Sequence, residues 1–322
     1  MKEKMFKYTG FLVMMLCLGV FVGCSNGKES VVETKNAIVE EQTEEIENVT
    51  GSVNQEIETE ADNVNSEIKN ETDRINQEIV MENVDYSKNF NGLNGCAVIY
   101  NPLKNQYLAY NQEMCKVQVS PYSTFKIIST LMGLNYGVLA GETSLMKYNG
   151  TKYPIDLWNK NMPLKEAFQT SCIWYFRQVI DSIGQEKVAA ELKELQYGNG
   201  DISEWEGSNV NPLQDLNGFW LSSSLKISPL EQVQMLAKIF EEKSHYTKEQ
   251  VDVLKSMMAI DDSENCEIYG KTGSGTNGEA WYIGFSEKNE TKTYFAIYLE
   301  DSKHKDVVSG NAAKKIAIEI MK

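Results

Sequence analysis

Only two histidines occur in the 322 residues, and no two of the six cysteines form a Cys-x-x-Cys pair. A zinc site built from closely spaced Cys and His ligands is therefore not expected, and no metal is called for. A Ser-His-Asp triad would have to use His245 or His304. Both sit in polar stretches, Lys-Ser-His-Tyr-Thr and Ser-Lys-His-Lys-Asp, that offer no catalytic context. Basic residues are also in deficit, 31 Lys and Arg against 46 Asp and Glu, for a formal charge of −15. That balance excludes a nucleic-acid role resting on a basic surface. Hydrophobic residues make up 42%, enough for a real core, so wholesale disorder is excluded too. The acidity is local: residues 28–85 hold 17 acidic and 4 basic side chains, leaving a net −4 on residues 86–322.

The N-terminus reads as an address. Lys2, Lys4 and Lys7 precede the apolar run Phe11 to Val22, short for a membrane span and right for a secretory leader. The run ends in Phe21-Val22-Gly23-Cys24, which resembles a bacterial lipobox, with Phe21 where an aliphatic residue is usual. The resemblance implies a signal peptide over 1–23 and lipidation of Cys24. It also implies an exported protein anchored by lipid on the extracellular face of the cell membrane. From Val53 three units of eleven follow, VNQEIETEADN, VNSEIKNETDR and INQEIVMENVD. Eleven residues make three turns at about 3.67 per turn, so Val53, Val64 and Ile75 fall on one narrow stripe with Ile57, Ile68 and Ile79. With two apolar residues per unit, residues 24–85 read as a solvated acidic tether. Weak self-association through the stripe, or contact of the stripe with the body, is the alternative.

Residues 86–322 read as the body. Cys96 to Tyr100 and Gln106 to Tyr110 flank a polar turn and predict a β-hairpin. A helix is predicted around 123–135, with further helical patterns over Leu164 to Ile183 and Gln185 to Leu195. Strand-like stretches occupy 266–271, 280–286 and 293–300, and Ala312 to Met321 closes with a helix. Strands, a helical insertion, then strands again predict an α+β fold, an antiparallel sheet flanked by helices.

The chemistry centres on Ser123-Thr124-Phe125-Lys126, which places a hydroxyl and an amine on one face of a helical turn. Six Ser-x-x-Lys matches occur, but only Ser123 follows Pro121-Tyr122 at a plausible helix start and runs into apolar Ile127-Ile128. An apolar wall lowers a lysine's pKa, which is what a base for the serine requires. Three motifs follow in order: Ser171-Cys172-Ile173 before an aromatic helix, Tyr197-Gly198-Asn199 in a polar turn, and Lys271-Thr272-Gly273-Ser274-Gly275 at a strand end. Each alone is weak. Together, in this order, they resemble the class D (oxacillinase-type) serine β-lactamases over residues 90–322, in the membrane-anchored form of a Gram-positive bacterium. Phe219-Trp220-Leu221 and Leu225-Lys226-Ile227-Ser228-Pro229 resemble further elements of that family.

The resemblance implies hydrolysis of β-lactam antibiotics through an acyl-enzyme, and hence antibiotic resistance. Ser123 would be acylated, and Lys126 would be carboxylated by CO2 to an N6-carboxylysine serving as general base, with no other cofactor. Trp220 would stabilise that carbamate, and Ser171 would relay a proton to the β-lactam nitrogen. Lys271, Thr272, Gly273, Ser274, Tyr197, Trp220 and Leu221 would contact substrate, with the amides of Ser123 and Ser274 forming the oxyanion hole. Two departures stand out: Ile173 replaces the usual valine, and no arginine follows Arg177 to take the substrate carboxylate, leaving Thr272, Ser309 or Lys271. Trp174 and Trp281 read as core aromatics, and Cys172 as a buried small residue rather than a nucleophile. The competing readings are a β-lactam sensor, or a penicillin-binding protein, that keeps a stable acyl adduct. A purely structural lipoprotein is a third, for which Ser123 would be dispensable.

Overall fold

A computed structural model describes residues 79–260, 267–289 and 291–322. The leader, Cys24, Cys266 and most of the eleven-residue repeats lie outside the described residues. The described residues begin with strand β1 (Met81–Asn83) and the short helix α1 (Ser87–Phe90), followed by the hairpin β2 (Gly95–Asn101) and β3 (Gln106–Tyr110). The helical part comprises α2 (Gln112–Lys116), a 3₁₀ turn at Tyr122–Phe125 and α3 (Lys126–Asn135). A small ribbon, β4 (Leu145–Met146) with β5 (Met162–Pro163), precedes α4 (Leu164–Gln169), α5 (Ile173–Ile183) and α6 (Gln185–Leu195). Next come α7 (Pro229–Phe240) and α8 (Lys248–Met258), then strands β6 (Ala259–Ile260), β7 (Glu267–Ser274), β8 (Glu279–Lys288) and β9 (Thr291–Glu300). Helix α9 (Gly310–Met321) completes the described chain.

The main sheet has the order β1-β3-β2-β9-β8-β7-β6. Every pairing is antiparallel except β1 with β3, which is parallel, so the α+β fold is as expected and its sheet is mixed. The parallel pair arises because α1 and all of β2 intervene between its two strands, where a hairpin turn would have forced the opposite sense. β1 also lies ahead of residue 86, within the stretch read as tether.

Side chains alternate along the strands. Trp281, Ile283 and Phe285 of β8, with Tyr294, Ala296 and Tyr298 of β9, face the helical layer. Ala280, Tyr282, Phe295, Ile297 and Leu299 face α9. Because both faces are covered, the strands read as continuous apolar runs rather than as alternation, which is why they were visible in the sequence. Helix α7 starts at a complete capping box: the Ser228 side chain accepts from the Glu231 amide at 3.2 Å, Glu231 accepts from the Ser228 amide at 2.7 Å, and Pro229 opens the helix.

The helix expected over Leu164 to Ile183 is broken in two. At the end of α4 the amide and hydroxyl of Thr170 both bond back to the Glu166 carbonyl, at 2.8 and 2.7 Å. Ser171 then takes a left-handed backbone (φ 55) before α5 begins. Such a conformation costs a non-glycine residue on the order of 1–3 kcal/mol, and it persists where the surroundings over-determine it. The break turns Ser171 out of the helical register.

Candidate active site

Ser123 sits within the 3₁₀ turn, not on the α-helix predicted for it. Its predecessor Tyr122 has φ 50, and α3 starts only at Lys126. In a 3₁₀ turn residues i and i+3 eclipse, which carries the amine directly over the hydroxyl. Lys126 Nζ donates to Ser123 Oγ at 2.9 Å. The lysine is completely buried, with Nζ 5.5 Å from the Phe176 ring centre. Burial brings its pKa from 10.5 down to about 7, so a large share of the side chain is uncharged at neutral pH.

A second amine lies beside it. Lys271, nearly buried on β7, donates to Ser171 Oγ and to the Thr272 carbonyl (2.9 Å for the latter). Burial, and then the neighbouring charge of Lys126, hold it well below the usual lysine range. The Cys172 thiol is pushed up to about 12 by burial and stays protonated, in keeping with its expected packing role.

A groove of about 350 Å³ opens onto Ser123, Ser171, Thr272, Gly273, Ser274 and Ser309. Glycine at 273 eases the close packing of β7 on the Ser123 turn: a Cβ there would lie 3.1 Å from the Pro121 carbonyl and 3.2 Å from Thr124 Cγ2, tight enough that the neighbours would have to give by a few tenths of an ångström. Ser274 Oγ accepts from the Gly310 amide at 3.1 Å and Ser309 Oγ caps α9, so the helix start is fixed at the groove's edge. His245 and His304 pair with Glu191 and Asp301 respectively, and neither lines this groove.

Of the residues expected to touch substrate, Lys271, Tyr197, Trp220 and Leu221 do not line this groove. Tyr197 is buried, edge-on to Phe125 at 5.9 Å, and Leu221 is half-buried against the core. Trp220 is fully buried, stacked on Phe125 at 5.3 Å, and its Nε1 has no hydrogen-bond partner among the described residues. The Tyr-Gly-Asn motif instead grips the chain at 224–227. The Asn199 amide donates to the Lys226 carbonyl (3.0 Å), and its side chain bonds the Lys226 amide and the Ser224 carbonyl (2.9 Å each). Gly198 has φ 52, and a Cβ there would fall 1.9 Å from the Lys226 carbonyl oxygen. Gly198→Ala is therefore expected to destabilise the fold by about 3 kcal/mol or more, measurable as a lowered urea midpoint with unchanged slope. A midpoint equal to the parent's would show that this contact yields without cost.

Sequence reasoning missed Trp158, which lines the groove from a 3₁₀ turn (Asp156–Trp158) while its Nε1 donates to the Thr170 carbonyl at 3.2 Å. It also missed buried Gln232, which donates to Thr124 Oγ1 at 3.0 Å and braces the Ser123 turn from α7. Neither carried a local signal; both act across long sequence separations.

A serine on a strained turn, a buried amine of lowered pKa against it, a second serine–lysine pair and a glycine-bearing strand edge beside them define a penicillin-recognising domain. The chain belongs to the penicillin binding protein transpeptidase domain family, whose model matches residues 95–322. It is 36% identical over 243 residues to the Regulatory protein BlaR1 of Staphylococcus aureus, covering 74% of this chain and 39% of that protein. It thus spans about two fifths of the length of its regulatory relatives. It is 31% identical to the Probable beta-lactamase YbxI of Bacillus subtilis, covering 74% of this chain and 84% of the relative. Among solved structures it is similar to the class D beta-lactamase from Bacillus subtilis, with a TM-score of 0.65 at 31% identity over 74% of this chain and 94% of that one. It is equally similar to the C-terminal domain of the Bacillus licheniformis BlaR penicillin-receptor, with a TM-score of 0.66 at 31% identity and the same coverage. The fold is that of β-lactam-binding acyl-enzymes.

Proposed function

We propose that the chain is a class D serine β-lactamase that hydrolyses β-lactam antibiotics through an acyl-enzyme on Ser123. The observation that carries this reading is the fully buried Lys126, its pKa brought down to about 7 by burial, 2.9 Å from Ser123 Oγ. Ser123 Oγ attacks the β-lactam carbonyl and gives up its proton toward Lys126. The amides of Ser123 and Ser274 receive the developing oxyanion, an interaction whose loss typically reduces rate about 100-fold or more. As the C–N bond breaks, Ser171, held by Lys271, passes a proton to the departing nitrogen. Thr272 and Ser309 meet the substrate carboxylate from the groove's rim. A carboxyl group added by CO2 to Lys126 Nζ, which requires the neutral amine, would supply the base for acylation and deacylation. The buried Trp220 Nε1, without an acceptor among the described residues, is the donor suited to hold it.

The lipobox-like Phe21-Val22-Gly23-Cys24 supports attachment to the outer face of the cell membrane, and labelling with a radioactive fatty acid that disappears in Cys24→Ala would test it. The similarity to the regulatory protein supports a second reading, a β-lactam sensor domain that retains its adduct. The two separate in one experiment, the time course of a chromogenic cephalosporin mixed with the purified chain, with and without bicarbonate. Sustained turnover stimulated by bicarbonate is expected. A single stoichiometric burst leaving a stable adduct on Ser123 would mean a sensor or a penicillin-binding protein.

A further inference from the structure

Arg177 is the single arginine among the described residues, and its side chain is 6% exposed. It projects from α5, next to Phe176, whose ring faces Lys126 Nζ. The guanidinium makes a bidentate pair with Asp181, through Nε to Oδ2 at 2.9 Å and through a terminal nitrogen to Oδ1. Another terminal nitrogen donates to the Trp205 carbonyl at 2.6 Å, and Glu206 lies 3.5 Å away. The plane also covers two aromatic rings, with Cζ 5.2 Å from the centre of Trp205 and 6.0 Å from that of Trp220. Trp205 is fastened in turn: its Nε1 donates to Asp181 Oδ1 at 3.1 Å and its ring stacks on Phe219 at 5.1 Å. Phe219 then meets Trp220 edge-on at 5.0 Å.

The Trp220 indole is therefore held by Phe125 stacked on it, by Phe219 at an edge and by Arg177. Gly218 lies beneath it, where a Cβ would come within 2.6 Å of ring atoms. Its Nε1 has no hydrogen-bond partner among the described residues. One planar cation thus ties α5, which bears Phe176 and follows closely on Ser171, to the 205–220 stretch that bears the indole. Only a guanidinium supplies the fork and the stacking face together.

We propose that Arg177 is a positioning residue that fixes the Trp220 indole N–H for the carboxyl group on Lys126. The proposal rests on the reading of Lys126 as a carboxylated lysine. Arg177 touches neither substrate nor the reacting atoms; it acts through Trp220 and sets how tightly Lys126 holds CO2.

The test is ¹³C NMR of the full chain titrated with ¹³C-bicarbonate, reading the carbamate signal directly, with Lys126→Ala as the blank. Arg177→Met should raise the bicarbonate concentration for half-maximal signal about tenfold, the low end of what loss of a ligand-orienting partner brings. Arg177→Lys, which keeps the charge but loses the fork, should fall between Met and the parent. Asp181 and Glu206 are 47% and 61% exposed, so Arg177→Met strands no buried charge. Asp181→Asn provides a milder second variant, expected to shift the half-saturation in the same direction. A merely structural role would lower the unfolding midpoint and leave the half-saturation where it was, and that result overturns the proposal. A parent protein with no signal above the Lys126→Ala blank would instead overturn the reading of Lys126.

Discussion

Ser123→Ala removes covalent capture of β-lactams altogether. The expected result is an intact-protein mass spectrum without any β-lactam increment after incubation with a penicillin, and turnover reduced on the order of 10⁶-fold, the scale on which loss of a serine nucleophile acts. Lys126 stays buried in the variant, and alanine fits the 3₁₀ turn as readily as serine, so the protein should remain folded. The prediction is sharp because the structure holds a second serine–amine pair, Lys271 with Ser171, close to the first. If that pair were the nucleophilic one, the increment would persist in Ser123→Ala and vanish in Ser171→Ala. A persistent increment sinks the assignment of Ser123.

Lys126→Met should make the protein more stable while abolishing acylation. An ordinary lysine titrates at 10.5, and burial brings this one to about 7. Between those values the unfolded chain carries a proton that the folded chain does not, so stability rises with pH across that window. Below pH 7 the penalty is fully present, and above 10.5 it is gone. Its size is on the order of 5 kcal/mol, taking 1.36 kcal/mol for each pKa unit. Removing the amine should therefore raise the urea midpoint clearly at pH 6 and little at pH 10, in buffer freed of CO2. Lys271 shifts in the same direction, partly through the charge of Lys126, so relief of Lys271 adds to the gain in the variant. The same titration sets activity: the uncharged amine is needed, so the acylation rate of the parent should fall about tenfold per pH unit below 7. A variant no more stable than the parent at pH 6 would mean that the ammonium is solvated where it sits.

Much of the candidate site was legible because its residues lie close together in sequence. Lys271-Thr272-Gly273-Ser274 lies on β7, and Ser123 and Lys126 share a turn, so residue type and spacing carried the message. The strands were legible because burial on both faces leaves uninterrupted apolar runs. The break at Thr170-Ser171-Cys172 was not, since the apolar spacing continues across it and the left-handed Ser171 is imposed by packing. Tyr197 was placed against substrate because its motif resembles a site element, whereas Gly198 and Asn199 grip a backbone segment 25 to 28 residues further on. Arg177 was noticed only as the last arginine. Its partners lie 4 to 43 residues downstream, and no periodicity links a guanidinium to the tryptophans it covers.

The order of strands also bears on how the molecule comes into being. β2 is hydrogen-bonded to β9 along its length, from Gly95 opposite Leu299 to Tyr100 opposite Tyr294. The middle of the sheet therefore joins segments roughly 200 residues apart, and closing a loop of that length must precede the gain from pairing. A nascent chain carrying everything up to β8 still lacks the strand that sits between β2 and β8, so β1-β3-β2 and β8-β7-β6 are not yet joined into one sheet. Productive folding must wait for the last few dozen residues, and until then the unpaired edges of β2 and β8 are the surfaces most prone to aggregate.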